Sequence, residues 1–297
     1  MMRVLWLAIG VLAGSQAACC LQPQPPVLAS QLVREVVFNE LSDHRAHGYW
    51  RYWIERRTSR ETRLEDQVET AEGPINRISL SNGRPLSPEA EVAERERLQR
   101  LLASPAEQAR RRQEYEDDEN RIGRILALLP DAFVYDYDGG DKDCQRLRFR
   151  PNPAYPAHSI EARIFHAMSG TLWVNTRYKR LARLDGRVDE NVDFGYGILG
   201  RLYKGGWFSL QRTQVSSADW KTERLEVHMM ARALLVKTFA RETSEARGGF
   251  LPVPAGMNLA QGRLLLEEDQ TQARNQAPAS APDRTSLIAP AALALRR

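Results

Sequence analysis

The sequence predicts an α+β fold built on a curved antiparallel β-sheet, and three observations lead to this prediction. From Phe133 to about residue 253, strand-like segments follow one another with turn residues between them, which is typical of an antiparallel meander. Helices do not alternate with these strands, which argues against a parallel doubly wound sheet. The stretch Val192–Leu210, VDFGYGILGRLYKGGWFSL, combines large apolar residues with five glycines and predicts one strongly curled strand.

Composition places the chain among globular proteins. Its 297 residues are 42% apolar and 8% aromatic, which is enough to bury a core. The 42 basic and 38 acidic residues are mixed along the chain, whereas a nucleic-acid binder concentrates its positive charge on one element. We therefore expect no nucleic-acid partner. The three cysteines, Cys19, Cys20 and Cys144, can build neither a disulfide scaffold nor a zinc site.

The N-terminus predicts an export signal over residues 1–18. A basic residue, an apolar run and a stretch of small residues follow one another in the usual order. Cleavage after Ala17 would release a soluble protein, whereas cleavage before Cys19, at a site similar to a bacterial lipobox, would leave a lipid anchor on Cys19. Both alternatives stay open, and both predict a protein of the periplasm or outer membrane. The apolar run is shorter than the ~20 residues that span a bilayer.

Residues 19–29 are rich in proline and predict a spacer, after which residues 30–268 predict a single domain. Ser30 can cap a helix with apolar residues on one face, and three strands follow between about residues 49 and 80. Ser87 and Ser104 each precede a proline and predict two helices that form an insertion over residues 87–129. Most charges of this insertion neutralise one another at helical spacing, which favours a solvated surface. The alternative interpretation is that the charged helices dock an envelope protein partner.

The second half predicts consecutive strands, a short helix after Ser159 and a last amphipathic helix over Asn258–Leu266. Residues 269–297 predict a disordered tail by composition. The end of this tail is too short and too interrupted to span a bilayer, but it would allow peripheral contact with a membrane.

No motif in the sequence indicates a reaction. The five histidines are scattered, and neither a nucleophile elbow nor a phosphate loop occurs. Gly195, Gly197 and Gly200 match a dinucleotide fingerprint only in spacing, because strand rather than helix follows them. Cys144 has no histidine beside it in the sequence, which favours an incidental thiol. We therefore expect a protein that is not an enzyme and that holds no cofactor or metal.

Three segments, INRISLSNGRPLS, SGTLWVN and RLARLDG, together with the order of elements, resemble the LolA-like superfamily of periplasmic lipoprotein-sorting and sensing proteins. The resemblance covers Leu32–Leu266, and the charged helical insertion departs from the small carriers. It implies a half-barrel sheet wrapped around helices, with an apolar cavity that receives acyl chains. The candidate cavity residues are the large apolar side chains of the central strands: Trp173, Phe194, Tyr196, Ile198, Trp207 and Phe208.

The resemblance implies a non-enzymatic envelope protein that binds lipid or the acyl chains of a lipoprotein, as carrier, receptor or sensor. The alternative is a periplasmic protein-interaction module with a solid core. An apolar pocket of ~300 Å³ or more under the sheet would favour acyl-chain binding. A filled core beside an exposed apolar patch would favour the interaction module, and a cleft with converging titratable groups would favour a hydrolase.

Overall fold

The structure is a computed structural model that describes residues 28–275, except for residue 47, residues 195–199 and residues 234–236. The described helices are α1 Ala29–Ala46, α2 Pro88–Ala103, α3 Pro105–Ala132, α4 Ile160–His166 and α5 Leu259–Asn275. The first strands are β1 Tyr49–Thr58, β2 Thr62–Val68, β3 Ile75–Ser81, β4 Arg84–Pro85, β5 Phe133–Gly140, β6 Cys144–Pro151 and β7 Met168–Asn175. The later strands are β8 Arg180–Val188, β9 Val192–Phe194, β10 Gly200–Leu202, β11 Trp207–Gln214, β12 Trp220–Ala233 and β13 Lys237–Val253.

The strands form one sheet in the order β4-β3-β2-β1-β13-β12-β11-β8-β7-β6-β5, and β9 and β10 form a hairpin beside the end of β12. All the strand pairs of the described residues are antiparallel. The sheet is not closed on itself, because β4 and β3 lie at one end and β5 lies at the other. The α+β class and the antiparallel sheet are thus confirmed.

The predicted curled strand over Val192–Leu210 is wrong. The described residues of this stretch form β9, β10 and the start of β11, and β11 pairs with β8 rather than continuing β10. Gly205 lies in the turn between β10 and β11 with a φ of 87°, a left-handed conformation that ends a strand. Gly205 therefore permits a reversal of the chain, whereas the sequence pattern had indicated bends within one strand.

The sheet has two faces with different coverings around β6, β7, β8 and β11. The inner face carries apolar residues that pack against α1, α4 and the end of α3: Leu147, Leu172, Leu184 and Leu210. The outer face carries the alternate residues of the same strands. A second core lies at the other end of the sheet, where α2 and α5 pack against Val68 and Ile75.

The helical insertion packs on the protein. Ser87 and Ser104 cap α2 and α3 as predicted, each accepting a backbone hydrogen bond of 3.2 Å. α2 covers the free edge of β3, where Glu94 accepts a hydrogen bond from the Ile78 amide at 3.0 Å and Arg97 donates one to the Asn76 carbonyl at 2.7 Å. Glu94 and Arg97 thus hydrogen-bond to backbone groups at the edge of β3 with which a further strand would otherwise pair.

The ends of the chain differ from the predicted boundaries. α5 continues to Asn275, so residues 269–275 belong to a helix rather than to the predicted disordered tail. The predicted export signal, Cys19, nearly all of the spacer and the rest of the tail lie outside the described residues.

Candidate functional site

A cavity of about 50 Å³ lies between the helices and the inner face of the sheet. Four of the residues that line the cavity belong to α1, and the others belong to α3, α4 and five strands. The lining residues are Val33, Val36, Val37, Glu40, Leu126, Leu129, Phe133, Tyr135, Phe149, Phe165, Met168, Leu172, Leu181, Leu184 and Phe208.

Helical and strand periodicity place these side chains together. Val33, Val36, Val37 and Glu40 recur at spacings of three and four residues and therefore share one face of α1. On the sheet, alternate residues of each strand face the helices, which gives the cavity a floor of leucine and phenylalanine. Apart from Glu40 and Tyr135, the cavity is therefore lined by apolar side chains.

Two polar side chains reach the lining, and both have partners within the protein. The Tyr135 hydroxyl donates a hydrogen bond to the Leu129 carbonyl at 2.7 Å, and burial raises the pKa of Tyr135. Glu40 is buried and accepts hydrogen bonds from Arg180 Nε at 3.1 Å and from the Leu181 amide at 2.9 Å. Arg212 also donates to the Glu40 carboxylate. Both groups are therefore engaged by partners within the protein.

Aromatic rings build the floor of the cavity. Phe133 contacts Phe149 edge-on, with ring centroids 4.8 Å apart. Gly170 and Gly186 lie opposite each other on β7 and β8, with Phe149 and Phe208 opposite them on the flanking strands. A Cβ on Gly170 would lie 2.6 Å from the Phe149 ring, so the glycine is what allows this ring to lie against the sheet.

Of the candidate residues predicted from sequence, Phe208 lines the cavity. Phe194 lies at the end of β9 beneath the Arg163 guanidinium, 5.7 Å from the ring centroid, and is not among the lining residues. Tyr196 and Ile198 fall within residues 195–199, outside the described part of the chain.

Trp173 and Trp207 lie on the outer face and do not line the cavity. Strand alternation puts each beside an inward-facing neighbour, Leu172 and Phe208 respectively. The Arg183 guanidinium lies 5.0 Å from the Trp173 ring, and Trp207 stacks against His228 with ring centroids 6.2 Å apart.

Sequence reasoning missed most of the cavity, including the whole contribution of α1 and α3. The signal was available in the apolar spacing of residues 32–41, which predicted a helix with one apolar face but not what that face covers.

A separate polar cluster links β1 to β12 away from the cavity. The Lys221 ammonium donates to both carboxylate oxygens of Glu69 at 2.8 Å, and the Tyr52 hydroxyl donates to the same carboxylate at 3.2 Å. Burial, followed by the charge of Glu69, raises the pKa of Tyr52. The cluster therefore consists of groups that satisfy one another.

The described residues contain neither a cluster of metal ligands nor a helix that could cross a membrane. No three histidine, cysteine, aspartate or glutamate side chains of residues 28–275, gaps aside, come together as a metal site requires. In the same part of the chain, no helix is both long and apolar enough to cross a membrane.

Comparisons with known proteins identify no family. The sequence matches no protein-family model and no curated protein. Among solved structures it is similar to the crystal structure of MucB in complex with MucA(peri), with 8% sequence identity and a TM-score of 0.19. That alignment covers 74% of this chain and 98% of the other. A TM-score at this level carries no argument about fold or function.

Proposed function

We propose that this protein is a non-enzymatic envelope protein that binds an acyl chain of a lipid or lipoprotein between α1 and the sheet. The observation that carries the proposal is the cavity, whose lining is apolar and whose two polar side chains already have partners. Burying each methylene group contributes about 0.8 kcal/mol, so such a lining favours a hydrocarbon chain. It offers nothing that would recognise a polar headgroup.

The volume of the cavity requires a conformational change on binding. Its 50 Å³ is well below the roughly 300–1,000 Å³ of typical ligand pockets. The structure therefore corresponds, in this proposal, to an unliganded state with the helices closed on the sheet. A complete acyl chain enters only if α1 moves away from the inner face.

The envelope location rests on the sequence of the N-terminus. Native mass spectrometry of the protein purified from bacterial envelopes tests the location and the ligand together. An added mass on Cys19 would establish the anchor, and a lipid released by denaturation would identify the cargo. A bare polypeptide beginning at Met1 would contradict export.

The binding site is tested with a fluorescent fatty acid and two α1 variants. Val36→Phe puts a larger side chain into the cavity and should weaken binding of the probe at least tenfold. Phe38→Ala is the matched control, because Phe38 is 68% exposed on the same helix and should leave affinity within twofold. Circular dichroism confirms that each variant is folded. Equal affinity of wild type and Val36→Phe would refute the proposed site.

The small cavity volume also favours a second candidate function, a protein-interaction module with a solid core. The middle of α3 would supply the docking surface, because many of its charged side chains are exposed and several pair along the helix itself, as Asp118 does with Arg121 at 3.0 Å. A photo-cross-linking amino acid at Asp117 should then capture one defined envelope protein in living cells, and the same group at the exposed Arg60 should not. Failure of the wild-type protein to bind the fatty acid, together with this cross-link, would favour the module.

A further inference from the structure

The outer face of the sheet carries an open groove of about 640 Å³, which we call the outer groove. It crosses β6, β7, β8, β11 and β12 on the side opposite the cavity. Small residues form its floor, among them Ser169, Thr171 and Ser209, and the long side chains around them form its walls. The groove is thus a shaped depression rather than a flat sheet surface.

Each charged side chain of the outer groove has a partner of opposite charge within the protein. Each of its four arginines pairs with a carboxylate at between 2.6 and 3.7 Å. The pairs are Arg148 with Asp138, Arg150 with Asp136, Arg183 with Asp185, and Arg187 with Asp189. Glu226, which also lines the groove, pairs with Arg224 at 3.8 Å. Every charged side chain of the lining therefore has a partner of opposite charge, so the groove has no unpaired cation that would select an anion. It does offer hydrogen-bond donors and acceptors side by side.

A flat apolar ring completes the outer groove. Trp207 is 42% exposed, and its stacking on His228, with 13° between the ring planes, fixes the orientation of the indole. On the floor, the Ser209 hydroxyl donates to Asp185 at 2.7 Å, and Asp185 in turn pairs with Arg183 at 3.0 Å. The polar groups are therefore held in place before any ligand arrives.

We propose that the outer groove binds a neutral saccharide chain. A sugar ring presents a face of C–H groups, which suits an exposed indole, and a rim of hydroxyls that each donate and accept hydrogen bonds. The paired arginines and carboxylates of the groove supply both kinds of partner, and none of these charges lacks a counter-charge. This site lies on the other face of the sheet from the cavity and does not depend on acyl-chain binding.

The proposal is tested by calorimetric titration with three uncharged probes: cellotetraose, maltotetraose and N-acetylchitotetraose. At least one should bind the wild-type protein, and Trp207→Ala should weaken that binding at least tenfold. Met230→Ala is the control, because Met230 is 46% exposed on β12 outside the groove and should leave affinity within twofold. Thr171→Arg fills the floor and should also abolish binding.

Three results would overturn the proposal. The first is that none of the three probes binds, and the second is that Trp207→Ala binds as tightly as wild type. The third is binding of inorganic phosphate or of vesicles containing anionic lipid at this groove, lost in Trp207→Ala, because the groove would then select charge. The Val36→Phe variant should bind the saccharide normally, which separates failure of this site from failure of the cavity.

Discussion

Replacing Glu40 with alanine should destabilise the protein by removing the carboxylate that joins α1 to β8 and β11. Arg180 and Arg212 would remain with side chains only 9% and 15% exposed, and the Leu181 amide would lose its acceptor. Removing one partner of a buried ion pair costs about 3–5 kcal/mol. For a domain of this size, each kcal/mol lowers the melting temperature by about 2–4 °C, so we expect a decrease of about 6–20 °C.

Urea and thermal unfolding followed by circular dichroism measure this loss. The control is Arg34→Ala, which removes an exposed ion pair between Arg34 on α1 and Asp131 on α3. The Arg34 and Asp131 side chains are 59% and 63% exposed, so loss of this ion pair should cost at most about 1 kcal/mol. If Glu40→Ala cost no more than Arg34→Ala, the buried carboxylate would not be what holds α1 on the sheet.

Two further predictions concern stability. Gly170→Ala should destabilise by about 1–3 kcal/mol, since its Cβ would overlap the backbone carbonyl oxygen of Asp185 and the Phe149 ring. Gly123→Ala within α3 has room for a Cβ and should stabilise by up to about 1 kcal/mol, and chemical unfolding of both variants tests the two expectations. Glu94 has its pKa held below 4.5, since hydrogen bonds from Arg97 and the Ile78 amide outweigh the opposing effect of burial. Wild type should therefore lose stability as the pH falls through the folded-state pKa. This loss should be smaller in Glu94→Gln and unchanged in Glu96→Gln, whose carboxylate is 60% exposed. Equal losses in both variants, or equal effects of the two alanines, would contradict these assignments.

Local signals in the sequence predicted the elements well where a capping residue or a proline marks an end. Ser87, Ser104 and Ser159 each cap a helix as expected, because a serine hydroxyl beside a helix start satisfies a backbone amide in almost any fold. The boundary of α5 was missed for the opposite reason. Its second half is polar, and composition alone does not distinguish an exposed helical turn from a disordered tail.

The candidate site was predicted poorly because hydrophobicity was considered without strand alternation. Trp207 and Phe208 are adjacent in β11, so one faces outward where the other faces inward, and the two cannot line the same cavity. Trp173 is excluded by the same reasoning beside Leu172. The contributions of α1 and α3 depend on which faces of distant elements meet, and this is a property of tertiary packing that periodicity within one segment does not contain.

The cavity and the outer groove lie back to back, and this arrangement decides which variants can separate them. Phe149 and Phe208 border both, and the paired Gly170 and Gly186 lie between these two rings. Any substitution in this row would change the floor of both sites at once, so loss of binding there could not be assigned to either one. Val36 contacts only the cavity from the helix side and Trp207 only the outer groove. If the protein binds both ligands, Val36→Phe should lose only binding of the fatty acid and Trp207→Ala only binding of the saccharide. If it binds neither, the wild-type protein and both variants should all fail to bind.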